Sequence, residues 1–235
     1  MLQAREQGRM ATRRGRPLRW ARKLAALACL AGLVKIAVQV FIQLSPRITP
    51  PAAGFLLHSR ARLRYRNVNA TLAPLDLRPG QHVLEVGGGT GTWTLPLAER
   101  VAPHGRVASI ELQRGMLLQQ ARRLECAVGR PIHLHQANAL DLPFADASFD
   151  RALMIAVLPM LPDKQRALRE VRRVLRPGGL LAVSEELIEP EYVPLTVTER
   201  WCRRAGFEQI EAHRTFWFYT LVAHNPPHAK PSEPG

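Results

Sequence analysis

Short apolar segments alternate with helix-like segments along the chain from residue 80 onwards. Strand patterns cover HVLEVG, RVASIEL, IHLHQAN, DRALMIAVL and LLAVSEEL, and helical patterns lie between most of them. Two further strand patterns, EQIEAHRTF and WFYTLVAH, follow one another with almost no gap, which is typical of a hairpin. The alternation predicts an α/β fold with a doubly wound, mostly parallel sheet and an antiparallel C-terminal hairpin.

A glycine-rich stretch, VGGGTGT, follows the first predicted strand. Sheets of this kind bind ligands at the carboxyl ends of their strands, and glycine there lets the backbone approach a ligand closely. A dinucleotide loop needs a third glycine where this chain has Thr92, which disfavours a nicotinamide dehydrogenase. The loop instead fits the spacing E-x-G-x-G-x-G, with Glu85, Gly87, Gly89 and Gly91, and Gly88 is a further glycine inside it.

A second acid, Glu111, ends the second predicted strand, 22 residues after Gly89. That spacing places a carboxylate where it can accept hydrogen bonds from both ribose hydroxyl groups of a nucleoside ligand. A surface acid at a strand end is the plainer alternative. The clean apolar strand before Glu111 favours the ribose role.

The order of these features resembles the class I S-adenosylmethionine (SAM) methyltransferases, in the branch related to ubiquinone and menaquinone C-methyltransferases. The resemblance includes NALDLPFADASFDRALMIAVL and ALREVRRVLRPGGLLAVSE and covers residues 70–224. It implies the seven-stranded Rossmann-like SAM-binding fold and SAM as the cofactor. It implies these cofactor-binding residues: Glu85, Gly87, Gly88, Gly89, Gly91, Glu111, Leu112, Asn138, Ala139 and Ile155.

The resemblance also implies a role for most of these residues. The glycines line the methionine and ribose side, Glu111 holds the ribose, and Ile155 lies near the methionine moiety. Leu112 packs on adenine, with Asn138 and Ala139 beside the ring. Position 138 is usually Asp in this branch, so Asn138 keeps an acceptor without the charge, and Pro159 stands where relatives often have His.

No catalytic base is evident from the sequence, and the catalytic residues stay unknown. The candidates His58, Tyr65 and His133 are isolated, and an isolated His or Tyr is more often structural. Glu185 and Glu186 come after the fifth predicted strand, where they could face the acceptor pocket or, as we expect, cap or solvate a loop. We predict no metal site and no disulfide framework. The three cysteines, Cys29, Cys126 and Cys202, lie far apart, and their spacing is typical of neither.

The first 75 residues carry most of the net positive charge, because they hold fourteen Lys and Arg residues and one acidic residue. Residues 76–235 hold nineteen Lys and Arg residues and eighteen acidic residues, so they are nearly neutral. Residues 1–23 have too few apolar side chains to build a core, so we expect a disordered basic tail. Residues 24–44, LAALACLAGLVKIAVQVFIQL, predict an apolar helix about as long as a bilayer core is thick.

Lys35, Gln39 and Gln43 fall on one face of that helix. This stripe favours a helix in the membrane interface or an amphipathic helix docked on a protein surface, while a spanning helix stays open on length. A cleaved signal peptide fits less well because Lys35 interrupts the apolar region, and an organellar transit peptide would be less apolar. Because SAM is made in the cytosol, we predict a membrane-associated chain with its catalytic domain on the cytoplasmic side.

The remaining boundaries follow from composition. We predict a Pro-rich linker over residues 45–54, a methyltransferase domain over residues 55–225 and a disordered tail over residues 226–235. The run Arg60, Arg62, Arg64 and Arg66 is interpreted as a solvated basic face, with membrane headgroup contact as the rival, so residues 1–66 are the predicted membrane contact.

The sequence therefore predicts a SAM-dependent methyltransferase acting on a small apolar or membrane-embedded acceptor, of lipid or quinone type, by in-line transfer. An RNA methyltransferase is the first alternative, although the basic front has few aromatic residues for base stacking. A non-catalytic, membrane-tethered scaffold is the second, and the intact glycine loop and Glu111 argue against it. The sequence does not predict an oligomeric state.

Overall fold

The structure is a computed structural model that describes residues 15–44, 59–125, 127 and 129–227. The predicted linker, His58, Cys126, residues 1–14 of the basic tail and the C-terminal tail from residue 228 lie outside these residues, as do the side chains of Lys35, Gln39 and Gln43. The chain divides into two compact units, Met1–Ser45 and Pro46–Gly235.

The described residues of the first unit form the helix α1, Gly15–Leu44. It includes residues 15–23, which differs from the predicted disordered tail. Pro17 is tolerated in the first turn, where backbone amides have no intrahelical partner, and Arg, Leu and Ala are strong helix formers. Every described side chain of α1 is exposed. Within the part of the chain that the structure describes, no helix has the length and apolarity needed to cross a membrane.

The second unit is built on a seven-stranded sheet with the strand order β3-β2-β1-β4-β5-β7-β6. Strands β1 to β5 pair in parallel, and β7 runs antiparallel to both β5 and β6. The predicted fold class is therefore confirmed. The strands are β1 His82–Val86, β2 Arg106–Glu111, β3 Ile132–Gln136, β4 Phe149–Ile155, β5 Leu175–Glu186, β6 Glu208–Arg214 and β7 Phe218–His224.

Helices cover both faces of this sheet. They are α2 Arg60–Tyr65, α3 Val68–Leu72, α4 Thr94–Val101, α5 Arg114–Leu124, α6 Lys164–Val174 and α7 Leu195–Arg204. Alternate residues of a strand point to opposite faces. Leu84 and Val86 accordingly pack in one core with α6 and α7, and Val83 packs in the other with α3 and α4.

The segment after the linker forms two short helices, each with a side-chain cap. Ser59 Oγ accepts a hydrogen bond from the Arg62 amide (3.3 Å), and Asn67 Oδ1 accepts one from the Ala70 amide (3.1 Å). Arg62 and Arg66 are buried, whereas Arg64 is exposed. The interpretation of the arginine run as a solvated or headgroup-binding face is therefore wrong for Arg62 and Arg66, which are paired inside the protein.

Candidate active site

The glycine loop leaves the carboxyl end of β1 and turns sharply over β2. The amides of Gly87 and Gly88 both donate to the Ile110 carbonyl (2.9 and 3.0 Å). A Cβ on Gly88 would lie 2.1 Å from Ser109 Oγ, and Gly91 has a φ of +82°. The first position needs glycine for space and the second for its backbone conformation, which L-residues with a side chain rarely adopt.

The loop borders a cavity of about 260 Å³ along the carboxyl edge of the sheet. Eight of the ten predicted cofactor-binding residues line it; they are Gly87, Gly88, Gly89, Glu111, Leu112, Asn138, Ala139 and Ile155. Glu85 and Gly91 do not. Strand order separates two ends of this cavity, because β1 and β4 lie between β2 and β5. We name them the β2 end, with Leu112 and Asn138, and the β5 end, with Glu189 and Glu191.

Glu111 is held at the β2 end by backbone donors. Its Oε2 accepts a hydrogen bond from the Gly89 amide (3.0 Å) and its Oε1 accepts one from the Gln113 amide (2.9 Å). Each carboxylate oxygen has about two acceptor positions, so both oxygens can accept a further hydrogen bond from a ligand. The side chain is fixed before any ligand arrives.

The rest of the β2 end offers an exposed apolar side chain beside polar groups. Leu112 is half exposed, Ala139 is buried, and Asn138 Oδ1 accepts a hydrogen bond from the Leu140 amide (2.9 Å). Because Asn138 Oδ1 is thereby fixed, the amide nitrogen of the same side chain is oriented too. This arrangement suits a planar heterocycle with both donors and acceptors.

Glu85 lies beneath the loop instead of in the cavity. Thr94 Oγ1 donates a hydrogen bond to Glu85 Oε2 (2.6 Å), and Gln120 Nε2 donates to Thr94 Oγ1 (2.8 Å) and Ser109 Oγ (2.7 Å). Burial raises the pKa of Glu85, while hydrogen bonds with Ser109 and Thr94 oppose that shift. Glu85 therefore supports the loop from below, and its direct contact with a cofactor stays a prediction.

The β5 end combines apolar walls with three ionisable side chains. Met160, Leu161 and Pro162, which follow β4, line the cavity together with Arg62, Glu189 and Glu191. Glu189 Oε1 lies 3.7 Å from Arg62 Nη2. Burial raises the pKa of both Glu189 and Glu191, and the charge of Arg62 opposes the rise at Glu189. The sequence patterns predicted no role at the site for any of these six residues.

A buried ion cluster fixes Arg62 at that end. Arg62 donates through Nε to both carboxylate oxygens of Glu186 (3.0 and 3.1 Å) and also through Nη2. Tyr65 donates from its hydroxyl to Glu186 Oε2 (2.9 Å), and Arg66 Nη1 lies 3.1 Å from Glu186 Oε1. Arg66 also donates to Ser184 Oγ (2.7 Å). We call Arg62, Tyr65, Arg66 and Glu186 the Glu186 cluster.

The electrostatics of the cluster follow from burial and pairing. Burial alone would raise the pKa of Glu186, but the hydrogen bond from Arg62 and the charge of Arg66 hold it below its ordinary value. Burial lowers the pKa of Arg66 to about 10. The guanidinium carbon of Arg66 lies 5.4 Å from the ring centre of Trp93, which lines the cavity. The cluster therefore braces one cavity wall.

The other candidates from the sequence lie away from the cavity. Glu185 and Glu186 end β5 and, being consecutive, point to opposite sheet faces. Neither caps a loop and neither lines the cavity. Glu185 is buried, which raises its pKa well above the ordinary value. His133 is exposed on β3, and Tyr65 is committed to Glu186.

The strand order, the glycine loop after β1 and the acid at the end of β2 are the features that the resemblance to class I SAM-dependent methyltransferases implies. Residues 84–183 match the methyltransferase domain family. The matched part of the chain is similar to the class I SAM-dependent methyltransferases, in the branch of the quinone C-methyltransferases. The predicted family and its cofactor, SAM, are confirmed.

Individual relatives show how far the similarity extends. A demethylmenaquinone methyltransferase of Bacillus cereus is 35% identical over 109 residues, 46% of this chain and 46% of that protein. One of Listeria welshimeri is 33% identical over 146 residues, 61% of this chain and 59% of that protein. The chain thus spans about half the length of the curated relatives it matches.

A solved structure shares the fold. The crystal structure of a SAM-dependent methyltransferase from Aquifex aeolicus superposes with a TM-score of 0.69 at 21% identity, covering 75% of this chain and 99% of the other. At that identity the match concerns the fold alone.

Proposed function

We propose that this chain is a SAM-dependent methyltransferase whose acceptor is a small apolar or membrane-embedded molecule of lipid or quinone type. The observation that carries the proposal is the β5 end of the cavity. Its apolar walls suit a ring or chain, and its arginine and two glutamates suit a hydroxyl group on that molecule. The similarity to demethylmenaquinone methyltransferases supports a quinone-type acceptor.

The β2 end has the chemistry to hold SAM. Glu111 has acceptor capacity left for the ribose hydroxyl groups, and Leu112 offers an apolar surface for adenine. Asn138 and Ala139 lie beside that surface, while Gly87, Gly89 and Ile155 border the route towards the β5 end. The methionine part would therefore point away from β2 and towards the acceptor.

When bound, SAM supplies a methyl group on a positively charged sulfur, open to in-line attack by a nucleophile. The protein's task is to hold the acceptor in line and to keep water out. Met160, Leu161 and Pro162 provide apolar contact for this, and Trp93, braced by Arg66, closes one side.

An acceptor with a ring hydroxyl becomes a better nucleophile when it loses that proton. We assign Glu191 as the proton acceptor, because it lines the cavity and burial raises the pKa of its carboxyl group. Glu189 instead pairs with Arg62. In this assignment the hydroxyl proton passes to the Glu191 carboxylate, and the Arg62 guanidinium stabilises the negative charge that develops on the acceptor oxygen.

Membrane association remains part of the proposal. The basic, apolar front helix would lie in the membrane interface, with the catalytic unit on the cytosolic side where SAM is made. Arg62 and Arg66 take no part in this attachment, since both are paired with Glu186.

The test uses full-length protein and methyl-labelled SAM with a mixture of membrane lipid extract and total RNA. Products are partitioned between organic and aqueous phases. We expect label in the organic phase, and reduced demethylmenaquinone added alone should become labelled as well. Label in RNA would contradict the proposal and favour the first alternative. Label in neither phase, with SAM bound, would favour a scaffold.

A further inference from the structure

An exposed aromatic turn joins β6 to β7 in the catalytic unit. Phe216 is 77% exposed and Trp217 is 42% exposed, and their rings meet edge to face at 4.8 Å. Large aromatic side chains are usually buried, so an exposed pair on a tight turn is informative. The turn itself is well defined, because Thr215 Oγ1 accepts hydrogen bonds from the amides of Trp217 (3.3 Å) and Phe218 (3.1 Å).

This turn lies at the edge of the sheet that carries the active site. Strand β5 runs parallel to β1 and β4, so its last residue, Glu186, lies at the same edge as the glycine loop. Glu186 pairs with Phe218, and the Leu187 amide donates to the Trp217 carbonyl (2.8 Å). The tip residues therefore extend past the carboxyl end of β5.

The tip also touches the element that lines the cavity. The rings of Trp217 and Tyr65 lie 5.9 Å apart, and Tyr65 belongs to α2, whose Arg62 lines the β5 end. One short helix thus separates the exposed aromatic pair from the acceptor region.

A groove of about 300 Å³ runs beside the tip. Its walls include Leu187, Tyr192, Leu195, Phe216 and Trp217, and Arg214 is the one charged side chain among the described residues that line it. A groove whose surface is apolar and polar in similar shares, with one cation in its lining, suits a molecule that has an apolar chain and an anionic head.

We propose that Phe216, Trp217 and the adjoining groove form a docking surface for an anionic lipid bilayer. Aromatic side chains partition into the headgroup region of membranes, and basic residues beside them are attracted to anionic lipids. Docking there sets the mouth of the cavity at the membrane, so that an apolar acceptor enters without crossing water. The delivery of an apolar acceptor rests on the proposed function, whereas binding of the aromatic turn to the bilayer does not.

The test uses full-length protein with vesicles of phosphatidylcholine alone or mixed with phosphatidylglycerol. Amide hydrogen exchange is followed across residues 212–218. We expect exchange there to slow when anionic vesicles are added, and the Phe216→Asp variant to lose this protection. Exchange is a local readout, so any vesicle binding by α1 does not hide the result.

The matched control is Leu118→Asp, which changes another exposed apolar side chain, 49% exposed and on α5. Phe216→Asp should weaken vesicle binding by about tenfold or more relative to this control, since a buried aromatic contact is lost. Unchanged exchange over residues 212–218 would overturn the proposal. So would protection that appears without vesicles at high protein concentration, because a second copy would then cover the tip.

The outcome is separable from that of the proposed function. SAM binding and transfer to an acceptor dissolved in water do not require docking, so Phe216→Asp should retain both. If no acceptor is methylated, the exchange experiment still decides whether the tip binds lipid.

Discussion

The two ends of the cavity are built in different ways. The β2 end is made of residues at or just after the ends of β1, β2 and β3, with Glu111 held by the amides of Gly89 and Gln113. The β5 end depends on contacts between distant segments, such as Arg62 with Glu186, 124 residues apart. A site for a shared cofactor can be encoded locally, whereas the acceptor site varies with the segments that fold over it.

The two ends also contrast in how they accommodate buried glutamates. Glu85 supports the glycine loop through neutral hydroxyl partners, and burial raises its pKa. Glu186 supports the β5 end through two arginines, and its pKa is lowered. A buried carboxyl group can therefore be protonated or ion-paired, and the choice decides how each end responds to pH and to substitution.

The variant Glu191→Gln tests most directly whether the β5 end acts in catalysis while the β2 end binds SAM. If the β5 end performs proton removal, the variant should lose about 10²- to 10⁴-fold in kcat, which is typical for loss of a general base. The Kd for SAM should stay unchanged, because Glu191 is at the other end of the cavity. Single-turnover methyl transfer and calorimetric SAM binding measure the two quantities separately.

The matched control for this variant is Glu189→Gln. Glu189 has Arg62 beside it, so we expect a smaller loss of kcat and a change in the KM for the acceptor. A larger loss in Glu189→Gln than in Glu191→Gln would contradict the assignment of the proton acceptor.

The second largest effect concerns the Glu186 cluster. Glu186→Gln removes the carboxylate that two buried guanidinium groups share, and breaking a buried pair in this way costs about 3 kcal/mol of unfolding free energy. Urea denaturation followed by circular dichroism measures the change. Glu199→Gln, which removes the exposed pair with Arg203, should cost less than about 1 kcal/mol. Equal losses in the two variants would show that the cluster contributes no more than a surface pair.

Much of the β2 end could be predicted from sequence, because its residues lie next to strand ends in a fixed order. Glu111 and Asn138 occupy such positions, and both line the cavity. Glu85 is also at a strand end, yet the sequence does not distinguish a residue in the cavity from one beneath the loop. The direction of a side chain at a strand end depends on the turn that follows.

The β5 end could not be predicted in the same way. Arg62 and Arg66 are four residues apart, a spacing that places both on one helical face, and this was the available signal for a shared partner. The alternating run of four arginines suggested solvent exposure instead. Pairing with Glu186 requires α2 to pack on β5, and nothing local in the sequence fixes that contact. Glu189 and Glu191 lie in an irregular segment without periodicity.

The third effect tests the β2 end directly. Glu111→Gln replaces one acceptor oxygen by an amide group that cannot accept from the Gly89 or Gln113 amide. We expect the Kd for SAM to rise about tenfold to a hundredfold, from the loss of charged hydrogen bonds. Calorimetric titration measures it, with the exposed Glu208→Gln as control. A rise below about twofold would exclude Glu111 as a cofactor ligand.

The fourth prediction uses pH to separate the two buried glutamates. The pKa of Glu186 in the folded state lies below its ordinary 4.5, so its contribution to stability is present above pH 4.5 and is lost as pH falls through the folded value. The pKa of Glu85 is raised above 4.5, so its contribution is present below pH 4.5 and is lost as pH rises through the folded value.

A tenfold difference in acidity between the folded and the unfolded carboxyl group corresponds to about 1.4 kcal/mol of unfolding free energy. Glu186→Gln should therefore flatten the loss of stability at acidic pH, and Glu85→Gln should flatten the loss at higher pH. Unfolding by urea at a series of pH values compares both variants with the parent protein. Changes of the same sign in the two variants would contradict the contrast between the two glutamates.

The smallest effect restores the acid that this branch usually has at position 138. Asn138→Asp keeps the oxygen that accepts from the Leu140 amide and adds a negative charge at the β2 end. A charged acceptor forms stronger hydrogen bonds with donors on adenine, so we expect SAM to bind about threefold to tenfold more tightly. Asp141 is exposed, and solvent screens its repulsion of the new charge. Weaker binding measured by calorimetry would instead mean that SAM needs the amide nitrogen of Asn138 as a donor, and the β2 end would then differ from its relatives in how it holds the ring.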